Sequence, residues 1–490
     1  MITIDAELLA KSGNGNQTSE APVPKATLTV ADAVSVIVGV VVGVGIFRSP
    51  SLVAANAGSE GLCMLAWVLG GVVSLAGALC YAEMATAYPH AGGEYHYLTR
   101  AFGKNVAFLF AWARVTVTQT GSIAAGAYVF GDYAAKAFPI AGTASSPLYA
   151  AAAVTILTGV NIAGVRQGKA VQNLLSLGKV LGIFLVVAAG ILMTAPASAV
   201  ASKGLATRGT FGLAMIFVLY TYGGWNEAAY ISGEVINPRR NILRSLVWGV
   251  ILITGLYILV NFAYMRGLGF VAVGKSPAVA ADLMRAGLGG AGAKCVALLV
   301  ALTALGASSA TIFTGARTTY ALGRDTPMLS FLGHWHEGSG TPSAGLGIQG
   351  IVALGLVLMG ALTRKGFETM VDYTMPVFWL FFLLAGLSLF VLRMRDPKTE
   401  RPFRVPLYPV TPLIFCAVCL YMLHASLAYA GIGAFTGLAV LAAGVPLLLL
   451  CRRHEKLHWK RLTDSLSSPD LPVVTQPELA NAVSHEKVIH

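Results

Sequence analysis

Three places in this 490-residue chain hold residues that could bind a small polar ligand within apolar surroundings. The first is VVVGVGIFRSP, residues 40–50, where Gly43 and Gly45, with Gly39 just before, sit among valines and lead into Arg48, Ser49 and Pro50. The second is YTYGGWNE, residues 220–227, which ends in Asn226 and Glu227. The third is Lys179, alone in an apolar stretch, with Ser308 and Ser309 later in the chain. Glycine and β-branched valine are poor helix formers, so the first two stretches can interrupt a helix. A break inside hydrocarbon frees N–H and C=O groups that lipid cannot satisfy. A helix restarting at Gly45, Ile46 and Phe47 would turn amide donors and a positive dipole end toward an anion such as a carboxylate. A helix ending over Phe217 to Thr221 would offer carbonyls suited to an ammonium. A site with both suits a zwitterion, and glycine lets a ligand come close to the backbone. The same glycines also have a plain packing reading, since GVVVG fits the small-xxx-small spacing of membrane helix pairs.

The elements that must position these residues are membrane helices. The chain is 56% hydrophobic and only 11% charged, too little charge for a soluble protein of this length. Apolar runs recur over 31–55, 61–88, 104–135, 148–163, 170–194, 210–233, 242–266, 293–321, 345–362, 370–392, 408–430 and 434–451. Most approach the about 20 residues that a spanning helix needs, and they are too long and uniform for barrel strands. The expected fold class is an all-α polytopic membrane protein of about twelve helices. The two interruptions fall in spans one and six, as an inverted repeat of two five-helix halves requires. Paired glycine-interrupted spans at corresponding positions point to a transporter site. The expected organisation is a tail over 1–30 and a transporter domain over 31–452. Within that domain, 31–194 is the first repeat, 210–392 the inverted repeat and 408–452 the last two helices. Residues 453–490 form a second tail.

The formal net charge of +12 is a topology signal rather than a nucleic-acid one. With both tails on one side, that side gathers Arg100, Lys104, Arg166, Arg239, Arg240, Arg393, Arg395, Arg401 and the cluster after Cys451, while the other side holds fewer cations. Cytoplasmic loops concentrate Lys and Arg, so both tails are expected in the cytoplasm and the span count is expected to be even. The first 30 residues carry no cleavage-type signal, and both tails have a composition that favours disorder. The six cysteines all lie in or beside apolar runs, where free cysteine packs as a small hydrophobe. No metal or other cofactor is expected.

Charges within the spans carry open alternatives. Lys179 is costly in a bilayer and either acts in the mechanism or snorkels to the near surface. Ser308 and Ser309 either face it or bond their own backbone. Glu227 is deep enough for proton coupling, or it pairs with a cation. Arg48 faces a vestibule or a carboxylate, with Glu227 one candidate partner. Glu83 and Glu234 read as structural.

With these stretches in view the chain resembles the amino acid–polyamine–organocation superfamily, in particular its L-type amino acid transporter branch. The resemblance covers about residues 31–452 and rests on VGVGIFRSP, GALCYAEMATAYPHAGGEYHYLTRAFG, AFLFAW, VQNLLSLGKVLG, YGGWNEAAYISGEVINPRRN and GASSATIFTGARTTYALGRD, in that order. It implies a LeuT-like fold with helices one and six broken. It implies that the amides of Gly43, Val44 and Gly45 hold the substrate carboxylate, although Val44 stands where serine is common. Phe217, Tyr220, Thr221 and Gly223 match the segment that accepts the amino group, with Tyr220 as an aromatic gate. Trp225 and Asn226 match the GWN that follows. Lys179 matches a lysine whose ammonium replaces a sodium ion and braces the first break. Eukaryotic members of the branch carry a cysteine in the loop between helices three and four for a disulfide-linked heavy chain. KAFPIAGTASSP has none, so no such partner is expected.

The function expected is secondary transport of α-amino acids across a cell membrane by alternating access. It is expected to be sodium-independent exchange or uniport, or else proton-coupled. A polyamine or other amine carrier of the same fold is the near alternative, with Glu227 taking the second ammonium. Tyr220, Trp225, Thr118, Gln119 and Ser122 are candidate pocket walls, with Trp225 also a candidate gating residue beside Tyr220. An enzyme is disfavoured, since the histidines lie mainly in loops and tails without HExxH-type spacing. No GxxxxGK[ST] supports ATP-driven transport.

Overall fold

A computed structural model describes residues 28–466, apart from 91, 141–144, 193–209, 230–234, 335, 337–340, 364 and 430. Most of both expected tails, and Glu234, lie outside the described residues. The helices run α1 Val30–Val41, α2 Gly45–Ala57, α3 Glu60–Ala87, α4 Gly93–Phe102, α5 Lys104–Ala113, α6 Gln119–Ala137, α7 Ser145–Ala163, α8 Val165–Leu192, α9 Phe211–Tyr222, α10 Pro238–Leu268, α11 Phe270–Lys275, α12 Val279–Asp325, α13 Ser343–Thr363, α14 Gly366–Arg395, α15 Val410–Ala428 and α16 Ile432–Leu466. Among the described residues the only β-pairing is two isolated bridges. The fold is an all-α polytopic membrane protein.

Among the described residues eight helices are long and apolar enough to cross a bilayer, and the α1–α2 pair makes a ninth when its two halves count as one span. The third, fifth and sixth expected runs fall on described helices that are interrupted, polar or short. A π-helical turn, Arg114–Thr118, joins α5 to α6 and carries a charge into the third run. α9 has 12 residues before its break. In α8 the apolar part is Lys179–Leu192.

Local chemistry sets where the elements begin and bend. Thr29 and Asp32 form a reciprocal capping box at the start of α1, which satisfies two of the donors that every helix start exposes. α1 and α2 meet at Val42–Val44 with a bend of 54°. α9 stops at Tyr222, and Gly224 takes φ +112°, which a side chain would strain. α12 turns at Gly289, with φ +68°.

One face carries Arg100 paired with Asp396 at 3.0 Å and Arg239 with Glu400 at 3.1 Å. On this basic face the buried carboxylate of Glu83 accepts from Arg393 Nε at 2.7 Å and from the Val405 amide at 2.7 Å, the structural clamp expected of it. The opposite face holds Lys136–Asp282 and Arg48–Glu368. Between the faces, Trp67 of α3, Tyr222 of α9 and Tyr257 of α10 pack edge-on or tilted at 5.0–6.2 Å. Contacts of this kind contribute roughly 0.5–1.5 kcal/mol each beyond their buried area. They fix α9 and α10 against α3.

Candidate functional site

The two breaks meet in the middle of the bundle. Gly45, at the start of α2, lies so close to α9 that a Cβ on it would sit 2.9 Å from Thr221 Cγ2 and 3.2 Å from Thr221 Cα. Gly45 is therefore a contact glycine as well as a helix start. A Cβ on Gly43 would meet nothing nearer than 3.7 Å. Val44 and Ile46 are buried.

The carbonyls beside the first break are engaged, and the Gly43 amide, expected to hold a carboxylate, donates to Val41 O at 2.7 Å. Lys179 Nζ donates to Gly39 O at 2.7 Å. The Tyr257 hydroxyl lies 2.8 Å from Val41 O, and Tyr133 donates to Phe47 O at 2.8 Å. No side chain caps α2, and the Gly45 and Ile46 amides meet no acceptor among the described residues. A buried helix start without acceptors calls for a ligand, and its dipole favours an anion.

At the second break Thr221 Oγ1 donates to Phe217 O at 2.7 Å, the Gly223 amide donates to Tyr220 O at 3.1 Å, and Tyr257 reaches Thr221 O at 2.9 Å. The Tyr220 and Thr221 carbonyls each keep a second lone pair, so this end can still accept from an ammonium. Phe217 is buried beside it. Tyr220 sets its ring edge-on to Phe367 of α14 with centroids 5.6 Å apart. Phe367 also lines a cavity of about 390 Å³ on the opposite face, together with Arg48, Asp132 and Glu368 among others.

Toward the basic face lies a buried ionic group. Arg114, on the π-helical turn, donates to both carboxylate oxygens of Glu227 at 2.8 and 3.0 Å, and its Nη1 is 3.8 Å from Glu94. Tyr81 and Asn226 also donate to Glu94. Arg114 and Glu94 are nearly inaccessible, with side-chain exposures of 8% and 4%, whereas Glu227 is 31% exposed. Trp225 packs its ring against Tyr81, Phe382 and Phe415 and is 3% exposed, a wall position next to this group.

Two expectations are corrected. Glu227 is not the partner of Arg48. Arg48 sits on α2 beyond the break and turns to the opposite face, where it meets Ser51 Oγ at 3.0 Å and Glu368 at 3.4 Å. Glu227 follows the second break on the basic side and takes Arg114. Ser308 and Ser309 do not face Lys179. A Cβ on Gly126 of α6 would lie 2.4 Å from Ser308 Oγ, and Ser309 receives Asn161 Nδ2 at 3.4 Å. Both serines therefore lie on the side of α12 turned to α6 and α7.

Of the candidate walls, Gln119 is buried and Thr118 Oγ1 bonds Arg114 O at 3.4 Å. Arg114 itself went unread, although it is the only cation between Lys104 and Lys136 and a charge within a span marks function. Among the described residues no three His, Cys, Asp or Glu side chains converge as a metal site, and all six cysteines are free.

Known proteins resemble the chain over most of its length. A family model described as amino acid permease matches residues 28–448. The b(0,+)-type amino acid transporter 1 of Mus musculus is 35% identical over 402 residues, covering 80% of each chain. The large neutral amino acids transporter small subunit 2 of Mus musculus is 30% identical over 481 residues, covering 94% of this chain and 88% of that one. The serine/threonine exchanger SteT of Bacillus subtilis (strain 168) is 27% identical over 425 residues, covering 84% and 94%.

Proposed function

The chain belongs to the amino acid permease family, and from that premise we propose that it exchanges α-amino acids by alternating access around the two helix breaks. The observation that carries this reading is the asymmetry at the first break. Protein donors occupy the carbonyls of Gly39, Val41 and Phe47, while the Gly45 and Ile46 amides have no acceptor. A substrate carboxylate completes those amides. Its ammonium turns to the carbonyl end of α9, and its side chain extends toward Tyr220.

Lys179 positions α1 by holding Gly39 O. A fixed ammonium there does the work of a bound sodium ion, so transport is sodium-independent. Tyr220 and Phe367 close the site toward one face, and Arg114 held between Glu94 and Glu227 closes it toward the other. The basic face is cytoplasmic by its Lys and Arg excess, and the protein resides in the cell membrane. It works without a disulfide-linked partner, because the loop after α6 has no cysteine. The amine-carrier alternative loses ground because Glu227, its second-ammonium residue, is engaged by Arg114.

Counterflow tests the proposal. Full-length protein in liposomes preloaded with the twenty amino acids should admit a subset of labelled amino acids saturably without sodium. Entry of putrescine but of no amino acid would replace this reading with the amine carrier.

A further inference from the structure

The last span carries a cationic stripe that the transport reading leaves unused. α16 is the least enclosed of the eight spanning helices among the described residues, with 22% of its apolar stretch buried against 61% in α14. The 20 residues from Ile432 to Cys451 rise about 30 Å, the thickness of bilayer hydrocarbon. Cys451 ends that stretch, packed in one apolar cluster with Phe108 and Ala111 of α5 and Leu322 of α12. The helix then runs on, and Arg452 to Lys456 rise through about the next 8 Å. That depth matches a headgroup layer of roughly 5–8 Å on each side.

Helical spacing sets Val445, Leu449, Arg452, Arg453 and Lys456 on one face, at steps of three and four residues. All five are exposed. Among the described residues, Arg452, Arg453 and Lys456 form no ion pair or side-chain hydrogen bond. Arg100, Arg239 and Arg393, on the same basic face, each meet a carboxylate. Glu455 is the only acid from Ile432 to Arg461, against five Lys and Arg. Topology asks only that cations follow the span. It does not ask that they stand in line with lipid-facing apolar side chains.

We propose that this stripe binds an anionic phospholipid. The lipid phosphodiester sits among Arg452, Arg453 and Lys456, where guanidinium groups match phosphate oxygens. One acyl chain lies along Leu449 and Val445. The inference is independent of which solute the protein carries.

Native mass spectrometry of the full-length protein in detergent counts bound lipids one at a time. With phosphatidylglycerol and phosphatidylcholine of the same chains, the first phosphatidylglycerol should bind about tenfold more tightly, since each cation near an anionic headgroup contributes roughly fivefold. Arg452→Gln, Arg453→Gln and Lys456→Gln together should erase that preference and leave phosphatidylcholine binding unchanged. Lys456→Glu, one exposed change beyond the span, gives the same readout if the triple variant fails to insert. Inorganic phosphate should not displace the lipid, because it lacks the chain.

Equal binding of the two lipids by the wild-type protein overturns the proposal. A preference that survives the substitutions overturns it as well, by placing the lipid elsewhere on the protein. Displacement by inorganic phosphate reduces the stripe to a free-anion site and overturns it too.

Discussion

Tyr257 holds its hydroxyl 2.8 Å from the Val41 carbonyl and 2.9 Å from the Thr221 carbonyl, so one side chain of α10 joins the ends of both interrupted helices. A phenol has one proton, and at any moment it serves one carbonyl only. In Tyr257→Phe the ring keeps its packing against Trp67 and Tyr222, while the Val41 and Thr221 carbonyls lose the one proton they share and Val41 O keeps the Gly43 amide at 2.7 Å. Stability should fall by about 1–2 kcal/mol, and exchange should slow more than that loss explains. Thermal melting and counterflow on the same preparation separate the two effects. Unchanged exchange would mean that the tie only holds the resting fold.

Gly45→Ala puts a methyl group against the backbone of Thr221, which cannot yield. Overpacking of this kind costs about 1–3 kcal/mol, here spent prising α2 from α9. Exchange should drop sharply, and Thr221→Ala in the same chain should recover part of it by removing the atoms at 2.9 and 3.0 Å. Gly43→Ala meets only ordinary contacts and should fold normally. A full-rate Gly45→Ala protein would show that the close approach is unnecessary.

Removing Arg114 strands two carboxylates. Arg114→Gln leaves Glu94 buried, and breaking a buried ion pair from one side costs about 3–5 kcal/mol, with the low end apt here because Glu227 is partly exposed. Arg114→Gln with Glu227→Gln should be more stable than Arg114→Gln alone. Denaturation midpoints in detergent give the comparison, and a double variant no better than the single would dissolve the pairing.

Acid should loosen α4 on the basic face. His96 is stacked on His90 at 4.2 Å, and its pKa is pushed down to about 4, mainly by burial and further by the charges of His90 and Arg100. The unfolded chain takes up that proton near 6.5, so between these values it binds more protons than the folded chain, and stability falls as pH falls. Melting temperatures measured from pH 7 to pH 5 should drop less steeply in His96→Gln. Parallel slopes would discharge His96 from the effect.

The sequence made the breaks legible because glycines clustered within apolar runs leave few alternatives. It also made Lys179 legible, since a lone ammonium in a span needs an acceptor, and Gly39 O supplies it. Pairing across the chain was not legible. Glu227 meets Arg114 across 113 positions, and Arg48 meets Glu368 across 320; both pairs depend on how helices pack, which periodicity does not encode. The π-helical turn that aims Arg114 inward has no sequence signature. The serine pair was misdirected for a related reason, since the rotation of α12 decides whether Ser308 looks at α8 or at α6. The twelve-span expectation weighed apolarity alone, whereas the third, fifth and sixth runs are interrupted, polar or short.

The turn at Gly289 has a dimensional consequence. Drawn straight, the 47 residues of α12 would reach about 70 Å, more than twice the roughly 30 Å of bilayer hydrocarbon. Bending at residue 289 folds the first stretch back along the opposite face, where Asp282 meets Lys136, and leaves the remainder to cross. The 36 residues after that glycine still span about 54 Å, so the helix extends past the hydrocarbon even once its first stretch has turned aside.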